Sequence, residues 1–158
     1  MSAVNSEYFD ISIRLIVATL LGALVGIERE AHGKEAGFRT YALVSLGSAL
    51  IMIVSTEIFE IYKGVTTSVD PSRIAAQVVS GIGFLGAGAI IRYSERVKGL
   101  TTAAGIWAVS GIGLACGLKQ YFPAIMTAIL TLVVLTVFSH VGRAIRDKKS
   151  HPHHESHS

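Results

Sequence analysis

Asp70-Pro71-Ser72-Arg73-Ile74-Ala75-Ala76-Gln77-Val78-Val79-Ser80-Gly81-Ile82-Gly83-Phe84-Leu85-Gly86-Ala87-Gly88 is the stretch whose reading decides the fold. Its second half matches the glycine pattern G-x-G-x-x-G of dinucleotide-binding turns. That chemistry needs a strand before the glycines, a helix after them, and an acid roughly 20 residues on for the ribose. The residues before the glycines read instead as helix. Asp70 is a favoured N-cap and Pro71 is tolerated at the first helical position. Glu95 follows too early for the ribose, and the basic run Arg92–Lys98 interrupts where the helix should continue. Arg73, Gln77, Gly81 and Gly88 recur at helical spacing on one side. The stretch therefore predicts a helix with a small and polar stripe, not a nucleotide cradle.

Its surroundings place that helix in lipid. Ile11–Ile27, Tyr41–Thr56, Ile74–Ile91, Leu100–Leu118 and Phe122–Val141 are nearly free of charge. A spanning helix needs roughly 20 mostly apolar residues. Charged residues are 16% of the chain, against about 25% in soluble domains. The expected fold is an all-α polytopic transmembrane helical bundle of about five spans. Residues 1–10 form an outer N-terminal segment, 11–141 the transmembrane domain, and 142–158 a basic, His-rich cytoplasmic tail expected to be disordered. Met1–Asp10 has acids and no Lys or Arg, unlike a cleaved leader, so the first span reads as a retained anchor.

Charge sets the orientation. With alternating spans, Arg29, Lys34, Arg39, Arg92, Arg96, Lys98, Arg143, Arg146, Lys148 and Lys149 share one side. Arg14, Lys63, Arg73 and Lys119 share the other, so the split is ten against four. Basic loops stay cytoplasmic, which predicts the N-terminus outside and the C-terminus inside. The net charge of +3 is thus a topology and headgroup signal, and no nucleic acid partner is expected.

Small residues inside the spans predict close helix packing of the GxxxG type, by Gly22 and Gly26 in the first span, Gly81, Gly83, Gly86 and Gly88 in the third, and Gly113 and Gly117 in the fourth. The fifth span lacks that pattern and reads as a lipid-facing wall. Thr101 or Thr102 is the expected cap of the fourth span. The turn Lys119–Tyr121 makes spans four and five an antiparallel hairpin. Cys116 reads as a small packed residue.

Polar groups at membrane depth are candidate functional residues. Glu28, Arg29 and Glu30 sit at the inner end of the first span, either as a solvated interface belt or as partners for Arg39. Asp70, Arg73 and Gln77 gather at the outer end of the third, level with Arg14. They read either as a helix cap with neighbours or as a polar vestibule. One carboxylate beside two arginines repels a divalent cation, so no magnesium cage is expected there. His151, His153, His154 and His157 are weak candidates for loose metal binding. With no nucleophile–base pair and no zinc motif, neither an enzyme nor a cofactor is expected.

Gly26-Ile27-Glu28-Arg29-Glu30, Ala36-Gly37-Phe38-Arg39-Thr40, the 70–88 stretch, Gly99-Leu100-Thr101-Thr102-Ala103-Ala104 and Trp107 together resemble the MgtC/SapB family over about residues 11–140. The resemblance implies a bacterial inner-membrane protein with an outside N-terminus. It implies Glu28, Arg29, Arg39, Asp70, Arg73 and Gln77 as the family's polar signature. Members related to the founding protein support growth at low magnesium and survival inside host cells. That protein looks more like a regulator of membrane machinery, including the proton-driven ATP synthase, than a transporter. Longer members carry a soluble C-terminal domain, and this chain is expected to be the short, membrane-only form. The expected function is a non-enzymatic modulator of Mg²⁺, ion or proton homeostasis. It would act through contacts with itself, as a homo-oligomer, or with another membrane complex. The alternative is a cation transporter or channel with Asp70 at its outer mouth.

Overall fold

The computed structural model describes residues 2–65, 70–93 and 96–149. Five helices carry the fold: α1 (Ser2–Ala31), α2 (Phe38–Tyr62), α3 (Pro71–Gly88), α4 (Leu100–Gly117) and α5 (Tyr121–Lys149). Two three-residue strands, β1 (Ile91–Tyr93) and β2 (Arg96–Lys98), pair antiparallel between α3 and α4, with Arg92 opposite Val97. The protein is an all-α membrane bundle with this one small hairpin at its basic end.

Four helices are long and apolar enough to cross a membrane: Asn5–Ala31, Phe38–Tyr62, Leu100–Gly117 and Tyr121–Ser139. The third expected span, α3, has the same 18 residues as α4 but is diluted by Ser72, Arg73, Gln77 and Ser80.

α2 is the centre of the bundle. Glycines of α1 and α4 close on it from two sides. A Cβ on Gly22 would lie 2.7 Å from the Ser45 Cβ, and one on Gly26 would lie 2.5 Å from the Phe38 Cα. From the other side, a Cβ on Gly113 would lie 2.8 Å from the Ser48 Cβ, and one on Gly117 would lie 2.7 Å from the Met52 Cβ. Lipid tails are as apolar as Leu, so such helices associate through close packing, and only glycine admits backbones this near. Tyr41, Ser45, Ala49, Val109, Ile112 and Cys116 are fully or almost fully buried in the resulting seam. α3 leans on α2 and α4, and α5 leans on α4 and α1.

Several expectations are corrected. α1 begins at Ser2, so the 1–10 segment is helical almost throughout. α3 ends at Gly88, short of the expected span end at Ile91, and the basic run Arg92–Lys98 falls largely in the paired strands β1 and β2. α5 runs to Lys149, and Gly142–Lys149 is helix, not a disordered start to the tail. α5 is also not a plain lipid wall, because Ala124 and Ala128 are buried one turn apart against the core. Neither Thr101 nor Thr102 caps α4. Gly99 does so, at φ 88° and without a side-chain bond. A Cβ there would press on the Ala89 carbonyl carbon at 2.9 Å, so glycine serves both the left-handed conformation and the close approach. Gly81, Gly83 and Gly88 meet no neighbour within 4 Å, and Gly86 touches Ala103 only at ordinary contact distance. Among the described residues, Gly86 is thus the one glycine of α3 that faces a neighbouring helix, and Gly81, Gly83 and Gly88 are not packing positions.

Candidate functional site

Polar side chains collect at both ends of the bundle. At the basic end, α1 finishes with Glu28, Arg29 and Glu30. Arg29 is 3% exposed, and its Nε and Nη2 both approach Glu28 Oε2 at 2.5 Å. His32 Nδ1 lies 2.8 Å from the Glu28 carbonyl oxygen and 3.0 Å from its Oε1. Burial of this pair removes water from both charges, a cost that mutual attraction offsets only with good geometry. Glu30 does different work. Its Oε2 accepts from the Phe38 backbone N–H at 3.1 Å, satisfying an orphan donor at the start of α2.

The expected Glu28–Glu30 partner, Arg39, is elsewhere. It is exposed, and its guanidinium stands 5.7 Å from the centre of the adjacent Phe38 ring. The solvated-belt alternative fails too for Arg29, which is buried. Behind the pair, the Tyr41 hydroxyl donates to the Thr102 carbonyl at 3.2 Å, joining α2 to α4. Sequence reasoning missed Tyr41. Its signal was a lone phenol at the start of an apolar run, which needs a partner when buried.

At the opposite end, Arg14 pairs with Asp10 one turn before it and donates from Nη1 to the Gly117 carbonyl at 3.2 Å. A cation at the last carbonyls of α4 complements that helix's dipole. Lys119 Nζ lies 3.0 Å from Asp10 Oδ2 and completes the link between α1 and the α4–α5 turn. Asp10 was legible only as an i, i+4 neighbour of Arg14. Beside this cluster is a cavity of about 370 Å³ whose wall includes Glu7, Arg14, Thr56, Glu57 and Glu60. Among the described residues, no group of three or more His, Cys, Asp and Glu is placed to hold a metal ion.

Asp70, Arg73 and Gln77 are all exposed. Asp70 caps α3. Its Oδ1 accepts from the Ser72 N–H at 2.9 Å, while the Arg73 N–H reaches the Asp70 main-chain carbonyl at 3.2 Å. Hydrogen bonds from Ser72, side chain first and backbone second, hold the Asp70 carboxyl below the usual carboxylate range. Arg14 is bound to Asp10 and Gly117, and no bond joins it to this group. The structure thus separates the polar signature into three places: Arg29 buried against a half-buried Glu28 at the basic end, Arg39 on its surface, and Asp70, Arg73 and Gln77 along α3. His151, His153, His154 and His157 lie outside the described residues.

Comparison with known proteins follows this division. No solved structure matches the chain. The putative magnesium transporter YhiD of Escherichia coli K12 is 44% identical over 140 residues, covering 88% of this chain and 65% of that protein. Protein MgtC of Salmonella typhimurium LT2 is 48% identical over 125 residues, covering 78% of this chain and 50% of that protein. An uncharacterized Haemophilus influenzae protein is 39% identical over 147 residues, covering 91% of this chain and 62% of its own length. This chain therefore spans between half and about two thirds of these relatives. The profile of the MgtC family matches residues 15–144, from the turn that holds Arg14 through the five-helix bundle into the last turns of α5, and the chain belongs to that family.

Proposed function

We propose that this chain is a non-enzymatic component of Mg²⁺ and ion or proton homeostasis in the bacterial inner membrane, acting through helix contacts with a second copy or another membrane complex. The name of the Escherichia coli relative, a putative magnesium transporter, supports the magnesium link. One structural observation carries the mode of action. Ala76, Ser80, Gly83 and Ala87 are exposed on α3, on the side turned away from α2 and α4. Small residues at this spacing let another membrane helix approach closely. The core of α1, α2 and α4 uses its own glycines internally, whereas this stripe is left exposed among the described residues.

The test is cross-linking in native membranes. Gly83 has open space around it, so Gly83→Leu leaves the single chain intact while blocking close approach. Cross-linked species present in the parent protein should disappear in the variant. Unchanged association sinks the proposal.

A second reading, cation transport, draws on the cavity beside Glu7, Glu57 and Glu60. Cation flux in proteoliposomes, abolished by Glu57→Gln with Glu60→Gln, would replace the first reading with this one.

A further inference from the structure

An open apolar groove of about 580 Å³ runs between α2 and α3, walled by Leu43, Gly47 and Ile51 on one side and Gln77, Gly81 and Leu85 on the other. Neither Gly47 nor Gly81 has an atom within 4 Å of where a Cβ would stand, so the helices remain apart along the groove. Its wall has two polar side chains. Ser48 spends its hydroxyl on the Val44 carbonyl at 2.8 Å. Gln77 has no hydrogen-bond partner among the described residues, although it stands six residues inside the helix. An unsatisfied amide at that depth costs free energy unless something from outside the chain meets it.

Arg73, Gln77, Gly81 and Leu85 form one i, i+4 row that rises about 6 Å per step. Arg73 is exposed and makes no ion pair among the described residues. Asp70, three residues earlier, is also exposed.

We propose that this groove holds one glycerophospholipid with an amine-bearing, zwitterionic headgroup. An acyl chain lies along Gly47 and Gly81, an ester carbonyl accepts from the Gln77 amide, the phosphate meets Arg73, and the amine meets Asp70. Depth orders these contacts: charge at the helix end, amide one turn in, hydrocarbon below. Charge selects the headgroup. Arg73 alone would take any lipid phosphate, but the neighbouring Asp70 carboxylate repels a net negative headgroup and attracts an ammonium. Side-chain size argues against a helix as occupant. Leu43, Ile51 and Leu85 flank the two glycines, whereas helices in membranes meet along continuous small residues. The far end of the groove approaches Arg39, one turn beyond Leu43, but no polar side chain lies inside the groove there to receive an ester.

The purified full chain in detergent would be mixed with equal amounts of phosphatidylethanolamine and phosphatidylglycerol of matched tails, and bound lipid read by native mass spectrometry. Phosphatidylethanolamine should be retained preferentially. Arg73→Ala should lower its retention about tenfold, the loss of one charge-assisted contact. Gly81→Leu, which fills the groove from a position with free space, should abolish retention. Asp70→Asn keeps a good helix cap and should erase the headgroup preference. The proposal fails if phosphatidylglycerol is held equally well in the parent protein, or if Arg73→Ala and Gly81→Leu retain lipid as the parent does. It also fails if Arg39→Ala is the variant that loses it, or if Gly81→Cys cross-links two copies through the groove.

Discussion

A methyl group added to Gly113 would meet the Ser45 carbonyl carbon at 2.9 Å and the Ser48 Cβ at 2.8 Å, inside the seam between α4 and α2. The same methyl on Gly83 would meet nothing within 4 Å. Gly113→Ala should therefore cost about 1–3 kcal/mol, the usual penalty for overpacking a close contact. Gly83→Ala should leave stability unchanged or slightly raised, since alanine favours helix over glycine. Thermal unfolding of the two variants in one detergent checks this, and equal destabilisation would refute the assigned seam. The glycine spacing was legible in the sequence for both positions. What it could not convey is which side of a helix finds a neighbour in its own chain, because Gly113 and Gly83 carry the same absence of a side chain. Charges show the same limit. Glu28 and Arg29 lie at the end of α1 and Arg39 at the start of α2, at one end of the bundle. Whether Arg29 turns to Glu28 or Arg39 does depends on the angle at which α2 departs from α1, and the Glu30 bond to the Phe38 N–H helps set that angle.

Element boundaries depend on caps more than on hydropathy. Asp70-Pro71 announced the start of α3 in sequence, and the carboxylate does cap the helix, by accepting the Ser72 N–H. The cap has a pH signature. Hydrogen bonds from Ser72 lower the folded-state pKa of Asp70, while in the unfolded chain an aspartate titrates near about 3.9. A depressed folded pKa means the contribution is fully present above the unfolded value and is lost as pH falls through the folded one. The stability advantage of the parent protein over Asp70→Asn should thus hold at pH 6 and vanish on acidification below the carboxylate range. Unfolding midpoints of the two proteins across that range decide it, and a constant gap would show that the carboxylate's charge contributes nothing. The start of α4 was less legible. Two threonines offered better side-chain caps than glycine, yet Gly99 holds φ 88° where the chain leaves β2 and passes close to Ala89. That requirement comes from a hairpin only three residues per strand long, too short to leave a period-2 pattern in the sequence.

For the whole molecule, α3 determines where the chain ends lie, because it is the one helix of the five below the hydropathy of a span. Its contacts nevertheless tie it to both ends of the bundle. Ser55, near the end of α2, donates to the Pro71 carbonyl at 2.5 Å, so α3 starts beside the C-terminal end of α2. Gly86 meets Ala103 in the first turn of α4, and that turn lies beside Tyr41 at the N-terminal end of α2. α3 therefore runs antiparallel to α2 through the same slab, and its 18 residues rise about 27 Å, close to the hydrocarbon thickness of about 30 Å. The remaining links are consistent with this. Arg14 reaches the C-terminal carbonyl of α4, so α1 begins where α4 ends and α5 begins, and α5 then returns to the basic end. Five passages of the slab would put the two chain ends on opposite faces, and the ten-to-four distribution of Lys and Arg predicts that the C-terminal end is the cytoplasmic one. A Cys116→Ala background carrying Ser6→Cys should react with an impermeant thiol reagent added to intact cells, while a reporter fused after Ser158 should be active only inside. Both ends reporting from one side would mean that α3 turns back within the membrane, and its polar row would then have to line a cavity to satisfy Gln77 and Arg73.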